Sequence, residues 1–168
     1  MQNRPSEQQF ENILEENKER IYRICRIYAT GPTEPQDLFQ EVVFQIWKSL
    51  DGFKGNSSIN TWVYRIALNV CLRSKMKLER EVNKTTRLES IQFEPGHSED
   101  ERVSDKYQAL QACLSQLNEG DRSLIVLYLE ELPYKEIASI TGLTANHVAV
   151  KMKRIRKVLF DCINSKVK

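Results

Sequence analysis

The stretch ELPYKEIASITGLTANHVAVKMKRIRKVL (131–159) holds two helix-like segments that meet at one glycine, Gly142. Pro133 suits the first turn of a helix, where its missing N–H costs nothing. Ile137 and Ile140 give the short first segment an inner face, and Ala138 is small where a second helix must cross closely. Gly142 follows the last turn, where a left-handed backbone is cheapest for glycine. Thr144 can then cap the next helix through its hydroxyl. On that helix Val148, Met152, Ile155 and Leu159 are spaced by four, three and four and form one buried stripe. Asn146, His147, Lys151, Arg154 and Lys157 lie away from it. The small residue, the glycine and the β-branched core residue fall four, eight and fourteen positions after Tyr134. This pattern predicts a helix-turn-helix, whose second helix enters the major groove of DNA. An αα-hairpin with a solvated basic face is the other reading of the same residues.

Charge supports the first reading. The net charge of the 168 residues is only +2, but it is unevenly spread. Residues 144–168 carry seven bases (Lys151, Lys153, Arg154, Arg156, Lys157, Lys166, Lys168) against one acid, Asp161. Residues 78–104 carry seven acids and four bases. A basic tail behind an acidic middle points to nucleic acid at one end and a different task between. A hydrophobic content of 40% and a charged content of 29% suit a folded, helix-rich protein. No apolar run is long enough to span a membrane. The polar, acidic start MQNRPSEQQFENILEENKER lacks the features of a signal peptide, so a cytoplasmic protein without membrane insertion is expected. The four cysteines, Cys25, Cys71, Cys113 and Cys162, stand more than 40 residues apart among apolar residues. They read as buried reduced thiols, with no metal site and no cofactor.

Upstream, apolar residues recur at helical spacing. Phe10, Ile13, Leu14, Ile21, Ile24, Cys25 and Tyr28 mark a first helix, ended by TGPTEPQD. Leu38, Val42, Phe44, Ile46, Trp47 and Leu50 mark a second, ended by DGFKGNSS, and a third runs over 59–76. From 78 to 104 the periodicity fades, and the polar stretch reads as a linker too long for a loop inside one compact domain. Periodicity returns with Tyr107, Leu110, Cys113, Leu114 and Leu117, followed by RSLIVLYLEEL and the two segments described first. The expectation is an all-α chain of two small helical domains, 5–77 and 105–164, joined by a flexible acidic linker, 78–104.

The first domain carries a second signal. Asp37, Gln40, Glu41 and Lys48 share one polar helix surface, fit for a basic partner or for solvent alone. After the loop GFKGNSS come Asn60, Thr61, Trp62, Tyr64 and Arg65, then Asn69, Arg73, Lys75 and Lys77. Aromatic rings among cations and amides suit single-stranded nucleic acid, because bases stack on rings while cations follow phosphates. Helical spacing equally allows Trp62 and Ile66 to be core.

Together these segments resemble the bacterial RNA polymerase sigma factors of the extracytoplasmic-function (ECF) group. DLFQEVVFQIWKSLDGFKGNSSINTWVYRIALN resembles the family's region 2, and LNEGDRSLIVLYLEELPYKEIASITGLTANHVAVKMKRIRKVL its region 4. The resemblance implies that Asp37, Gln40 and Glu41, with Phe44 and Trp47, grip the β′ clamp helices of core RNA polymerase. It implies that loop 53–58 and Asn60, Thr61, Trp62, Tyr64 and Arg65 open and read the −10 element. It implies that Thr144, Asn146, His147, Val150, Lys151, Lys153, Arg154 and Lys157 meet the −35 element. Leu124, Leu127 and Tyr128 would touch the β flap, the acidic linker would thread toward the active-site channel, and an anti-sigma factor would hold the protein inactive. Asn60 and Leu68 stand where the family often has basic residues, so the resemblance does not carry phosphate contacts over to those two positions. His147 and Ala149 stand where it commonly has Thr and Lys, so the −35 preference is expected to differ from that of well-known members.

The implied function is a promoter-specificity subunit, not an enzyme. A stand-alone helix-turn-helix regulator and a partner-binding adaptor are the alternatives, and association with core polymerase separates them.

Overall fold

The computed structural model describes residues 7–29, 31–85 and 105–167. Among them every regular element is helical: α1 (Glu7–Tyr28), α2 (Pro35–Ser49), a single 3-10 turn (Leu50–Gly52), α3 (Ile59–Thr85), α4 (Asp105–Gln116), α5 (Glu119–Leu129), α6 (Tyr134–Thr141) and α7 (Ala145–Lys166). The chain divides into two compact units, Met1–Gly96 and His97–Lys168.

In the first unit α1, α2 and α3 each pack against the other two. The sequence sets this up by placing apolar residues three or four apart on each helix. Ile21, Ile24 and Tyr28 of α1, Leu38, Val42 and Ile46 of α2, and Val63, Ala67 and Val70 of α3 are all buried. Each large aliphatic side chain so buried contributes about 1.5–3 kcal/mol. Two apolar residues of α2 do not join this core. Phe44 is 54% exposed and Trp47 50% exposed, on the face opposite Leu38, Val42 and Ile46. Helix α3 also continues to Thr85, past the expected end near Met76. Its extension KLEREVNKT consists mostly of good helix formers, and Glu79 within it pairs back with Lys75 at 3.9 Å. The apolar periodicity fades there, but the helix does not end, and Leu78 is still half-buried beside Gly31. The remainder of the expected linker, 86–104, lies outside the described residues.

In the second unit α7 packs against α4, α5 and α6. Val148, Met152, Ile155 and Leu159 form the buried stripe the spacing predicts. Gly142 takes φ +79° and its N–H closes on the Ala138 carbonyl at 2.9 Å, ending α6. Thr144 caps α7, its Oγ1 accepting the His147 N–H at 3.1 Å. Pro133 stands one residue before α6, as its N-cap, and it is Pro35 that occupies the first turn of a helix, α2.

Arg122, in the first turn of α5, is 3% exposed. Its Nε donates to the Leu114 carbonyl at 2.9 Å, and Nη2 donates to the carbonyls of Ser115 (2.7 Å) and Leu117 (3.3 Å). One guanidinium thus joins carbonyls at and just past the end of α4, where the helix runs out of its own donors, the Leu114 carbonyl also accepting the Leu117 N–H at 3.2 Å. The expectation for the cysteines holds for two of them. Cys25 and Cys71 are buried and free, but Cys113 of α4 and Cys162 of α7 form a disulfide across 49 residues of chain. Their Cα atoms lie 6.0 Å apart because α4 and α7 are packed together, which the sequence separation does not reveal.

Candidate polymerase and nucleic-acid interfaces

Three surfaces carry the residues expected to act. On α2, Asp37, Gln40, Glu41, Phe44, Trp47 and Lys48 are all exposed. Offsets of three, four, seven, ten and eleven from Asp37 put them on one stripe. Glu41 accepts a hydrogen bond from Gln45 Nε2 at 3.2 Å, and Trp47 meets Phe10 of α1 edge-on at 4.9 Å. The stripe is acidic at its N-terminal end and aromatic at its C-terminal end, so it offers charge and desolvatable area on one helix.

The second surface surrounds the start of α3. Ser58 caps this helix: its Oγ accepts the Thr61 N–H at 3.1 Å and donates to Thr61 Oγ1 at 2.9 Å. Asn60 is half-buried, and its Oδ1 accepts from Asn17 Nδ2 at 3.1 Å. Asn17, on α1, is itself 2% exposed and also donates to the Ile13 carbonyl at 2.9 Å. Trp62 is half-buried against Phe53, ring centroids 5.2 Å apart. Arg65 is exposed, and Asn69, Arg73 and Lys77 repeat at four-residue steps along the same side. Two expected contacts need correction. Tyr64 is fully buried, its hydroxyl accepting from Arg20 Nη1 at 3.1 Å, and Thr61 is 3% exposed in the cap. Both fix the helix start from inside and present no surface to a strand.

The third surface is α7. Asn146, His147, Val150, Lys153, Arg154, Arg156 and Lys157 are exposed. Lys151 is half-buried, its Nζ 3.6 Å from Asp121 Oδ1, and Arg154 Nη2 lies 3.0 Å from Asp121 Oδ2. Arg156 sits over the Tyr128 ring at 5.4 Å. On the other flank Tyr134, Ala149, Lys153, Arg156, Lys157 and Phe160 line a shallow groove of about 420 Å³. Leu124 and Leu127, expected to touch a partner, are 2% and 0% exposed and belong to the core; Tyr128 alone of that set reaches the surface.

Sequence reasoning passed over Asn17, Arg20 and Asp121. The first two lie more than 40 residues from their partners and left no local signal. Asp121 did leave one. Asn118 and Asp121 stand three apart, and Asn118 Oδ1 accepts the Asp121 N–H at 2.9 Å as an N-cap does.

Residues 13–81 match the Sigma-70 region 2 model, and residues 107–159 match that of Sigma-70, region 4. The chain is 30% identical over 161 residues to the ECF RNA polymerase sigma factor SigW of Bacillus subtilis, covering 89% of this chain and 86% of that one. It belongs to the ECF group of sigma-70 factors. A second relative, the ECF RNA polymerase sigma-E factor of Escherichia coli, is 28% identical over 134 residues, covering 73% of this chain and 70% of its own. Two solved structures share the fold. CnrH in complex with the cytosolic domain of CnrY gives a TM-score of 0.67 at 19% identity, covering 96% of this chain and 91% of CnrH. RpoE of Bartonella quintana, in complex with the anti-sigma factor NepR, gives 0.70 at 20%, covering 92% and 96%. In this sigma factor the region 2 match holds the α2 stripe and the start of α3, and the region 4 match holds α5, α6 and most of α7.

Proposed function

We propose that this sigma factor binds core RNA polymerase through the α2 stripe, bringing it to promoters that its two units recognise separately. Asp37, Gln40 and Glu41 meet the β′ clamp helices, with Phe44 and Trp47 supplying apolar area. Asn60, Trp62 and Arg65, beside loop 53–58, meet the unwound −10 strand. The N-terminal half of α7, with Thr144, Asn146, His147, Val150 and Lys151, faces −35 base edges. Lys153, Arg154 and Lys157 meet phosphates, which position a protein without reading sequence. Domains 5–77 and 105–164 divide this work, and the acidic stretch between them runs toward the polymerase channel. The protein works in the cytoplasm, has no catalysis of its own, and is restrained by an anti-sigma factor.

The observation that carries the reading is α7 itself. Its buried stripe ties it to three helices, and its opposite face begins, after a left-handed turn, with small polar groups and continues into cations. Run-off transcription with core polymerase tests it. The expected result is a one-to-one complex that starts transcripts downstream of a shared pair of elements. Duplex binding with no association to core would replace this reading with that of a stand-alone regulator.

A further inference from the structure

The cations of α7 are not equivalent. Lys153 and Lys157 are exposed, with no ion-pair partner among the described residues. Lys151 and Arg154 converge on one carboxylate, that of Asp121 in the first turn of α5. The Asp121 side chain is only 8% exposed. Its Oδ1 lies 3.6 Å from Lys151 Nζ and 3.3 Å from Arg154 Nη2, and its Oδ2 lies 3.0 Å from Arg154 Nη2. Oδ2 also accepts from Asn118 Nδ2 at 3.0 Å, which fixes the carboxylate from the α5 side. Arg154 remains 63% exposed and Lys151 30% exposed. They therefore keep donors toward solvent while anchored from behind.

We infer that Asp121 is a specificity-determining positioning residue, which orients Lys151 and Arg154 on α7 and withholds part of their charge from unspecific attraction to DNA. The inference rests on the reading that α7 meets the −35 duplex. Both partners are long side chains that would otherwise sample many rotamers. Held by a buried carboxylate, Lys151 reaches the base edges and Arg154 the adjoining phosphate in one register. Sequence-independent affinity comes from cations that displace counterions from phosphates. A cation already matched by Asp121 displaces less than a free one, so the site gains discrimination and gives up unspecific grip.

The experiment uses holoenzyme assembled with core polymerase, a randomised −35 library, and binding measured across a salt series. Asp121→Asn keeps an oxygen for Asn118 and removes the charge. The expected result is tighter binding to non-promoter duplex, a salt slope steeper by about one to two units, and roughly tenfold weaker preference for the selected −35 sequence. Asp121→Glu, which retains the charge, is expected to return the salt slope to that of the wild type. Arg154→Gln changes an exposed side chain and does not depend on the Asp121 variants folding. It is expected to lower the slope by clearly less than Lys153→Gln or Lys157→Gln, each of which lowers it by about one. A role in capping α5 alone would change the melting temperature of Asp121→Asn and leave its selected sequence and salt slope as in the wild type. That outcome, or Arg154→Gln matching Lys153→Gln in slope, overturns the inference. If wild-type holoenzyme enriches no −35 sequence, the proposed function fails, and the inference with it.

Discussion

Arg122 would pass in a sequence for one more surface charge, yet it is buried, only 3% exposed. Its hydrogen bonds go to the carbonyls of Leu114, Ser115 and Leu117, where α4 ends and the chain turns toward α5. Lysine cannot reproduce that fork, because its ammonium is a single point on a flexible stem. Arg122→Met is expected to lower the stability of the second unit by about 1–3 kcal/mol, since the buried Leu114 carbonyl loses one of its two donors and the part-buried Ser115 and Leu117 carbonyls lose the guanidinium. Urea unfolding of the variant measures this, and a loss below about 1 kcal/mol would make the fork incidental. Residues acting locally were legible. Gly142 and Thr144 could be placed because a left-handed turn and an N-cap each need one residue type at one position. Arg122, Asn17 and Tyr64 were not, because their roles depend on partners brought near only by packing. Tyr64 shows the cost: an aromatic among polar residues looked like a stacking surface, and burial makes it core.

Among the elements, α2 most clearly separates packing from function. Leu38, Val42 and Ile46 bind it to the first unit, and Asp37, Gln40, Glu41, Phe44 and Trp47 remain outside. Phe44 and Trp47 stand on the exposed stripe beside Asp37, Gln40 and Glu41, which is why the proposed polymerase contact is placed there. Reversing charge at Asp37 and Glu41 together is expected to abolish binding to core polymerase. Melting should shift little, since substitutions on an exposed face usually stay within about 0.5 kcal/mol each. Co-purification of the double variant with core at wild-type stoichiometry would move the polymerase contact elsewhere. Helix existence was legible from apolar periodicity throughout. The end of α3 was not, because KLEREVNKT stays helical by propensity and side-chain pairing after its apolar periodicity has faded. At the start of α3 Asn60 and Trp62 could be nominated from composition, but their supports, Asn17 behind Asn60 and Phe53 against Trp62, could not.

At the scale of the molecule, two units could be read from the interruption of periodicity, and the cysteines could not. Cys113 and Cys162 close a loop of 49 residues that spans α5, α6 and most of α7. A cross-link over such a loop stabilises by about 4 kcal/mol in the chain-entropy account, through restriction of the unfolded chain. Reduction with dithiothreitol is expected to lower the stability of the second unit by up to that amount, with the first unit unchanged. Urea unfolding followed with and without reductant checks both parts. An unfolding midpoint indifferent to reductant would mean the bond contributes nothing to this fold.

The other two cysteines give the first unit its own clock. Cys25 and Cys71 are fully buried, and hydrogen bonding with Cys25 together with burial pushes the Cys71 thiol above its ordinary pKa. Only a thiolate attacks an alkylating reagent at speed, and only an accessible one. In the oxidised chain, then, a maleimide has no target until α1 and α3 part. The label should enter at two sites per molecule, at a rate set by how often that helix pair opens. Mass spectrometry after a timed pulse would give the fraction of molecules that had opened, in the presence of core polymerase or without it.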